Sequence, residues 1–392
     1  MRALQNLLHK LKRVKFRPPV GGLENVFIAS LLTTFPALIK QILLLFYSHI
    51  RFRKALIMKK IITILSISTL LFMTGCGKRT AMGADDELIV LAALEDRGAA
   101  LSILGKIFSD TLYTPAPEPY YKAKFVLPGE IEKIRNHPNL IVISVNNDLT
   151  NPGTRLVKQI LPEKTYAASK NSQKSFIISK DVYAKKQTML VISGSSTEEL
   201  VEKAQEIGKK IYNQFDQQFI DRQSRFLFNR ARKKELEEKI FNQFGFGLKI
   251  PWGFIVVKDS ADAKLFWIGK ENPFRWIVVH WEDGMVIKDQ EDAERFSRQI
   301  PKRFFNHIRY VDYKFSTKPV IFSDWSGWRV TGLWESVKEA QGGPFIAYTF
   351  YDGITDRTYY IQTLIFNPGL DKYLLLRRLD IIAQTFYVEK ND

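Results

Sequence analysis

The chain of 392 residues reads as an α+β protein: two modules that each mix helix and strand, joined by a long helix, with mostly antiparallel sheet in the C-terminal half. Three observations predict this. Short apolar strand-like runs alternate with helix-spaced segments up to Ser195. One amphipathic pattern then runs from Ser196 to Phe244. Beyond Gly245 the texture changes to short aromatic strands separated by turns.

In the first module Leu88–Ala92 is an apolar strand, and Ala99–Leu112 has helix spacing before the turn punctuated by Pro115, Pro117 and Pro119. Tyr120–Val126 and Leu140–Val145 read as strands around a short helix, Pro128–Arg135. Asn146–Lys174, rich in Asn, Pro, Gly and Ser, reads as irregular, and Ser175–Tyr183 with Thr188–Ser193 as a strand pair. The joining segment opens on Ser196, a good N-cap residue, with Glu199 three positions on as in a capping box. Leu200, Ala204, Ile207, Ile211, Phe215 and Phe219 keep steps of three or four, so one face is buried. Unbroken to Phe244 this helix measures about 70 Å at 1.5 Å per residue; the alternative is a break near Arg222–Ser224.

In the second module Phe254–Val257, Lys264–Ile268, Trp276–Trp281 and Met285–Lys288 are strand-like, with Glu282-Asp283-Gly284 as a tight hairpin signal. Glu291–His307 reads as helix. Strands follow near Val311 and over Trp325–Thr331, Phe345–Tyr351 and Thr358–Phe366, and Leu370–Thr385 closes as a helix.

Ahead of both modules lies a cassette of Met58-Lys59-Lys60, an apolar run Ile61–Met73, and Thr74-Gly75-Cys76. It reads as a signal peptide: the run is too short to cross a bilayer of about 30 Å as a helix. Cys76 is the one cysteine of the chain. The cassette resembles the bacterial lipobox, with Met73 where Leu is usual and Thr74 and Gly75 at the small positions. That resemblance implies diacylglyceryl attachment to the Cys76 thiol, cleavage between Gly75 and Cys76, and acylation of the new amine. With more than one acyl chain, each buried CH2 adding about 0.8 kcal/mol, the anchoring is effectively permanent. The bland alternative is a buried free thiol at a helix end. Gly77 in place of Asp after the cysteine favours the outer membrane by the same resemblance.

Upstream, Val26–Ile50 is a second apolar stretch, interrupted by Pro36 and Lys40 and flanked by basic residues on both sides, so neither orientation satisfies the positive-inside rule. Residues 1–57 are therefore read as a doubtful upstream extension ahead of a start at Met58, the alternative being a genuine membrane-associated leader. The expected organisation is 58–75 signal peptide, 76–86 polar tether, 87–195 first module, 196–244 connecting helix and 245–392 Trp-rich second module. This also explains the charge. Residues 1–57 hold ten Lys/Arg and one acid, and Lys59 and Lys60 add two, so of the net +17 only +6 remains from Cys76 onward. A mild, dispersed excess of that kind is not a phosphate-tracking stripe, and nucleic acid is not expected as a partner.

The segments Pro251-Trp252-Gly253-Phe254, Phe266-Trp267-Ile268, Arg298-Gln299-Ile300-Pro301, Gly332-Leu333-Trp334 and Gly342-Gly343-Pro344-Phe345, in that order behind a lipobox, resemble a family of uncharacterised Bacteroidota-type lipoproteins, domain-of-unknown-function family 4837. The likeness runs from about Glu87 to the C-terminus. It implies architecture and lipid anchoring, and brings no activity or catalytic residues.

Signals for chemistry are few. All seven tryptophans lie between Trp252 and Trp334; they fill a core or, on an open sheet, form a stacking platform for sugar or peptide. Trp325, Trp328 and Trp334, with the Gly342-Gly343-Pro344 segment as either a turn or a pocket loop, are the candidate binding surface. Trp325 and Trp328, three apart in an extended segment, are expected on opposite faces. His280 and Glu282 share a strand face and could chelate, although a hairpin end is the plainer reading, so no metal and no cofactor are expected. No G-x-S-x-G elbow is present, and acylation of Cys76 would remove the thiol as a nucleophile. The expectation is an envelope lipoprotein, non-enzymatic, that binds or assembles an envelope protein or glycan. The alternative is a cell-wall or polysaccharide hydrolase with dispersed carboxylates, which need no local motif.

Overall fold

The structure is a computed structural model. It describes residues 77–388 except 115–116, 146–147, 171–172 and 230, so Cys76, Gly75 and the whole signal cassette lie outside the described residues. Lys78 onward forms one compact unit built on two sheets.

The first sheet contains β1 (Glu87–Leu91), β4 (Lys122–Val126), β5 (Asn139–Ser144), β6 (Phe176–Lys180) and β7 (Thr188–Ser193), in the order β4-β1-β5-β7-β6. All neighbours are parallel except the β6–β7 pair. Its central strands β5 and β7 are buried along their whole length, and they read as continuous apolar runs because helices cover both faces. One face packs against α1 (Arg97–Ile107) and α5 (Thr197–Phe228) through Ile103, Ile107, Leu200, Ile211 and Phe215. After the short helix α2 (Ile131–Ile134), the chain covers the other face with α3 (Pro152–Ile160) and α4 (Glu163–Lys170), through Leu156, Val157 and Tyr166. These last two helices correct the irregular reading of Asn146–Lys174. Asn151 caps α3 by accepting from the Thr154 N–H at 3.0 Å, and Pro152 sits at the first helical position, where its missing N–H costs nothing. A hairpin of two-residue strands, β2 (Thr111–Leu112) and β3 (Glu118–Pro119), projects from this module.

The joining segment is two helices. Ser196 caps α5 by accepting from the Glu199 N–H, and the helix runs for 32 residues through the position where a break at Arg222–Ser224 was the alternative. Instead the break falls at 229–233, ahead of α6 (Lys234–Phe244). There tertiary pairing wins over helix propensity: Arg232 bridges Pro251, Trp252 N–H donates to Ala231 O at 3.0 Å, and Lys233 N–H donates to Ile250 O at 2.9 Å. Glu237, nearly buried, holds the bend by accepting from Arg232 and from the Ile250 N–H. Gly245, at φ +75, ends α6 in the left-handed conformation that glycine adopts without strain. The stretch expected as a tether is docked from Lys78 on: Lys78 donates to the carbonyls of Asp181 and Val182, Ala81 N–H to Lys185 O, and Asp85 is held by Arg222 and Gln223.

The second sheet has seven strands, all antiparallel to their neighbours: β9 (Ile255–Ser260), β10 (Leu265–Lys270), β11 (Phe274–Asp283), β12 (Ile308–Phe322), β13 (Trp325–Ser336), β14 (Gly342–Asp352) and β15 (Arg357–Phe366), in the order β12-β13-β14-β15-β11-β10-β9. One face is covered by α6 and α8 (Tyr373–Ala383), around Tyr348, Phe350, Tyr359 and Ile361. The other is covered by α7 (Gln290–Phe304), around Trp267, Phe345, Tyr360 and Leu364. A two-stranded ribbon of β8 (Phe246–Gly247) and β16 (Tyr387–Val388) closes the fold. The hairpin expected at Glu282-Asp283-Gly284 does not form. Past Gly284, at φ +76, Met285–Lys288 runs out of the sheet toward α7, held by Gly284 N–H to Asp356 O at 2.7 Å and Val286 N–H to Thr358 Oγ1 at 3.0 Å. No helix among the described residues is long and apolar enough to cross a membrane.

Candidate functional site

The residues singled out from sequence do not share a surface. Trp325 and Trp328 do point to opposite faces of the second sheet, each half-buried. Trp325 stacks on Phe350 at 4.8 Å and donates to Asp352 Oδ1 at 2.9 Å, whereas Trp328 packs on the α7 side. Trp334 is buried and donates to Ile365 O at 3.2 Å. Gly342 and Gly343 are neither turn nor pocket loop; they begin β14, opposite Glu335 and Trp334. A Cβ on Gly343 would lie 2.1 Å from Ile365 O, so glycine is needed there for close backbone approach.

His280 and Glu282 are adjacent as their strand register requires, His280 Nε2 lying 3.1 Å from Glu282 Oε1. The position a metal would take is filled by Arg303, whose Nη1 donates to Glu282 Oε1 at 2.6 Å, and His280 Nδ1 meets Lys264 O at 2.7 Å. Burial holds the fully enclosed imidazole below its ordinary pKa, against the pull of the Lys264 carbonyl and Glu282. The set is a hydrogen-bonded core cluster. No group of three or more metal-ligating side chains occurs among the described residues.

What the fold builds is a cleft of about 540 Å3 where the β2–β3 hairpin of the first module meets β12, β13 and α8 of the second. This is within the range typical of ligand sites. Its position depends on an irregularity in β12: between Val311 and Ser316 the register with β13 shifts, and Lys314 adopts φ +60. The bulged residues are braced from α7 by Arg298, which lies 3.8 Å over the Phe315 ring and binds Asp312 at 2.9 Å. Lys314 is thereby carried across the module boundary to lie 4.0 Å over the ring of Tyr113.

Opposite, Tyr120 of the hairpin stacks on Tyr373 of α8 with centroids 4.2 Å apart. Behind these rings lies a charged network. Arg377 binds Asp216 of α5 at 2.7 Å, and Tyr348 donates to Asp380 at 2.6 Å. Burial opposes the Arg329 charge, yet Tyr348, Asp380 and Tyr120 around it raise its pKa overall. Burial likewise pushes the Asp216 carboxyl up while Arg377 pulls it back. Lys314, Lys318, Arg329 and Arg377 line the cleft while Asp216 and Asp380 lie outside its lining, giving a net positive cleft walled by tyrosines. Its lining holds hydroxyls, Thr111, Ser316 and Thr331, and no histidine, cysteine or carboxylate among the described residues. None of these residues carries a local sequence signal; the one trace is a lysine at the bulge, legible only once the register is known.

The junction is also clasped. Glu118, nearly buried, accepts through Oε2 from the backbone N–H groups of Lys372 at 2.6 Å and Tyr373 at 2.8 Å, capping α8 from the other module. Lys122 pairs with Asp371 beside it.

Both halves of the fold match family models. A family model described as a domain of unknown function, DUF4837, matches residues 233–385. The match covers less than half of the chain. A different model, also a domain of unknown function, DUF8532, matches residues 118–228, so the DUF4837 match is narrower than the likeness from Glu87 onward suggested. The interval between the two falls on the α5–α6 break, and the span matched by the DUF4837 model contains the whole second sheet and α8. No curated protein matches the chain. Among solved structures, the Ran-binding protein Mog1p of Saccharomyces cerevisiae is 14% identical with a TM-score of 0.28, over 37% of this chain and 90% of its own. LpqN of Mycobacterium tuberculosis, involved in cell envelope biogenesis, is 14% identical with a TM-score of 0.26, over 37% and 83%. A Bacteroides thetaiotaomicron protein is 11% identical with a TM-score of 0.25, over 38% and 46%.

Proposed function

We propose that this is a lipid-anchored protein of the cell envelope, held at the outer membrane through Cys76, that binds a negatively charged envelope component without chemical turnover. The observation that carries the binding role is the convergence of four cations and three tyrosines from both modules on one cleft. The hydrolase alternative needs two carboxyl groups flanking a cleft. One cavity is lined by acids, Asp85 and Asp86, and both oxygens of Asp85 are taken by Arg222 and Gln223. Two measurements test the proposal. Metabolic labelling with a fatty-acid analogue should mark the native chain and not Cys76→Ala; an unlabelled native chain refutes the anchor. Affinity capture from envelope extracts should recover a component that is lost with Lys314→Glu/Lys318→Glu. Recovery that the charge reversal leaves unchanged refutes the cleft as the binding surface.

A further inference from the structure

A second cavity, of about 490 Å3, lies away from this cleft, where the end of α5 meets the Pro251–Phe254 turn, the β10–β11 connection and α8. Its walls are apolar, with Phe226, Leu227, Phe254, Leu375, Leu379 and Ile382 among them, and Trp252 stands 70% exposed beside Pro251. Three cations enter the same lining. Lys270 Nζ lies 5.8 Å from the Trp252 ring centroid, running past Gly253, at φ +91, where a Cβ would come within 2.8 Å of that nitrogen. Arg378 lies 4.4 Å over the Phe226 ring and is pinned through Nε to Gln223 Oε1 at 2.7 Å. Arg275 is pinned through Nε to Pro273 O at 3.3 Å.

Pinning through Nε leaves the guanidinium ends of both arginines without a protein acceptor among the described residues, and none of the three cations has a carboxylate at ion-pair distance there. Arg222, Arg232 and Arg377, by contrast, each hold a carboxylate. Burial lowers the pKa of all three pocket cations; Arg275 lowers Lys270 further and Arg378 lowers Arg275, while Asp85 and Asp86 act from a distance in the opposite sense on Arg378 alone. Half-buried like charges gathered against an apolar wall are costly unless an anion completes them.

We propose that this cavity binds an amphipathic anion, a single alkyl or acyl chain bearing a phosphate or carboxylate head. The chain packs against Phe254, Leu379 and Ile382 and the head sits among Lys270, Arg275 and Arg378. Such a ligand exists either as a free amphiphile or as a lipid in a bilayer. The site adjoins the cavity lined by Thr80, Gly83 and Arg222, sharing Phe226 and Arg378 with it, close to where the described chain begins.

The test uses the full chain in phosphatidylcholine nanodiscs, with calorimetric titration of octyl phosphate and of octanol and subtraction of empty-disc heats. Octyl phosphate should bind one-to-one at least tenfold tighter than octanol. Lys270→Gln/Arg275→Gln should abolish that preference while leaving octanol unchanged and the thermal midpoint equal or higher, because it removes charges with no carboxylate partner. Equal affinity for the two ligands, or wild-type octyl phosphate affinity in the double variant, overturns the proposal. Arg378→Lys, which keeps the charge, should retain most of the preference, and its complete loss there overturns the electrostatic role. Repeating the titration in discs containing phosphatidylglycerol separates the sources: competition identifies a bilayer lipid as the occupant, and unchanged affinity a free amphiphile.

Discussion

Glu118→Ala gives the sharpest test of how the two modules are held together. One carboxylate oxygen accepts from two backbone N–H groups at the start of α8, at 2.6 and 2.8 Å, and the Lys372 ammonium lies 3.5 Å from the other oxygen. Hydrogen bonds to a charged group contribute about 1.5–3 kcal/mol each, and a buried donor left unmade costs about 1–3 kcal/mol. The helix N-terminus adds a few tenths to about 1 kcal/mol for a negative charge. Sharing one oxygen and admitting some water reduces the sum, and an expected loss of about 3 kcal/mol follows. In a body of this size that is roughly 2 °C per kcal/mol, hence a fall of about 6 °C in the thermal midpoint. Glu118→Gln keeps an acceptor and loses the charge, so its fall should be about half. Circular dichroism melting of the full chain measures both. A midpoint for Glu118→Ala within 1 °C of the native value would refute the clasp, as would Gln falling further than Ala.

Three more expectations follow from the geometry. Gly343→Ala forces a methyl against Ile365 O and should cost roughly 1–3 kcal/mol or more, read as a lower urea midpoint; an unchanged midpoint shows that β14 and β15 are not so close. Asp216→Ala leaves the Arg377 guanidinium without its carboxylate in the junction and should cost about 3–5 kcal/mol; adding Arg377→Met should recover much of it, and additive losses would show that the pair is not coupled. His137 and His280 are both held below their ordinary pKa, chiefly by burial. The unfolded chain therefore takes up protons below pH about 6.5 before the folded one does, so their contribution is full above that pH and is lost as the pH falls through the folded values. Urea midpoints should drop between pH 7.5 and 5.5, and a profile identical in His280→Asn would remove that residue from the account.

Much of the fold could be read along the chain because its signals are local. β5 and β7 are unbroken apolar runs, Ser196 and Glu199 announce α5, and Gly245 marks the end of α6. The features that escaped are those decided by distant partners. Helix α3 hides in a polar stretch whose cap is one Asn-Pro pair, and the break after α5 exists because residues 231–233 find 250–252. Glu282-Asp283-Gly284 has hairpin chemistry, yet β11 already has β10 and β15 at its sides, leaving no edge for a returning strand. The cleft is harder still to foresee: Tyr113, Lys314 and Arg377 are hundreds of positions apart in part, and only the bulge in β12 and the passage of α5 past α8 bring them together. Tryptophan, the most conspicuous residue of the second half, mainly builds core, since Trp267, Trp281 and Trp334 are buried.

Helix α5 has a further bearing on how such a chain can be inherited and dissected. Up to Phe215 it completes the core of one sheet, through Leu200, Ile211 and Phe215, and its later turns hand Asp216, Gln223 and Phe226 to α8. A gene fusion or an expression fragment cut between α5 and α6 would leave the second half with Arg377 and Arg378 deprived of their counterparts. The preceding half would end on a helix with a bare flank. The two stretches therefore have to travel as a pair, and melting should show them giving way in one transition.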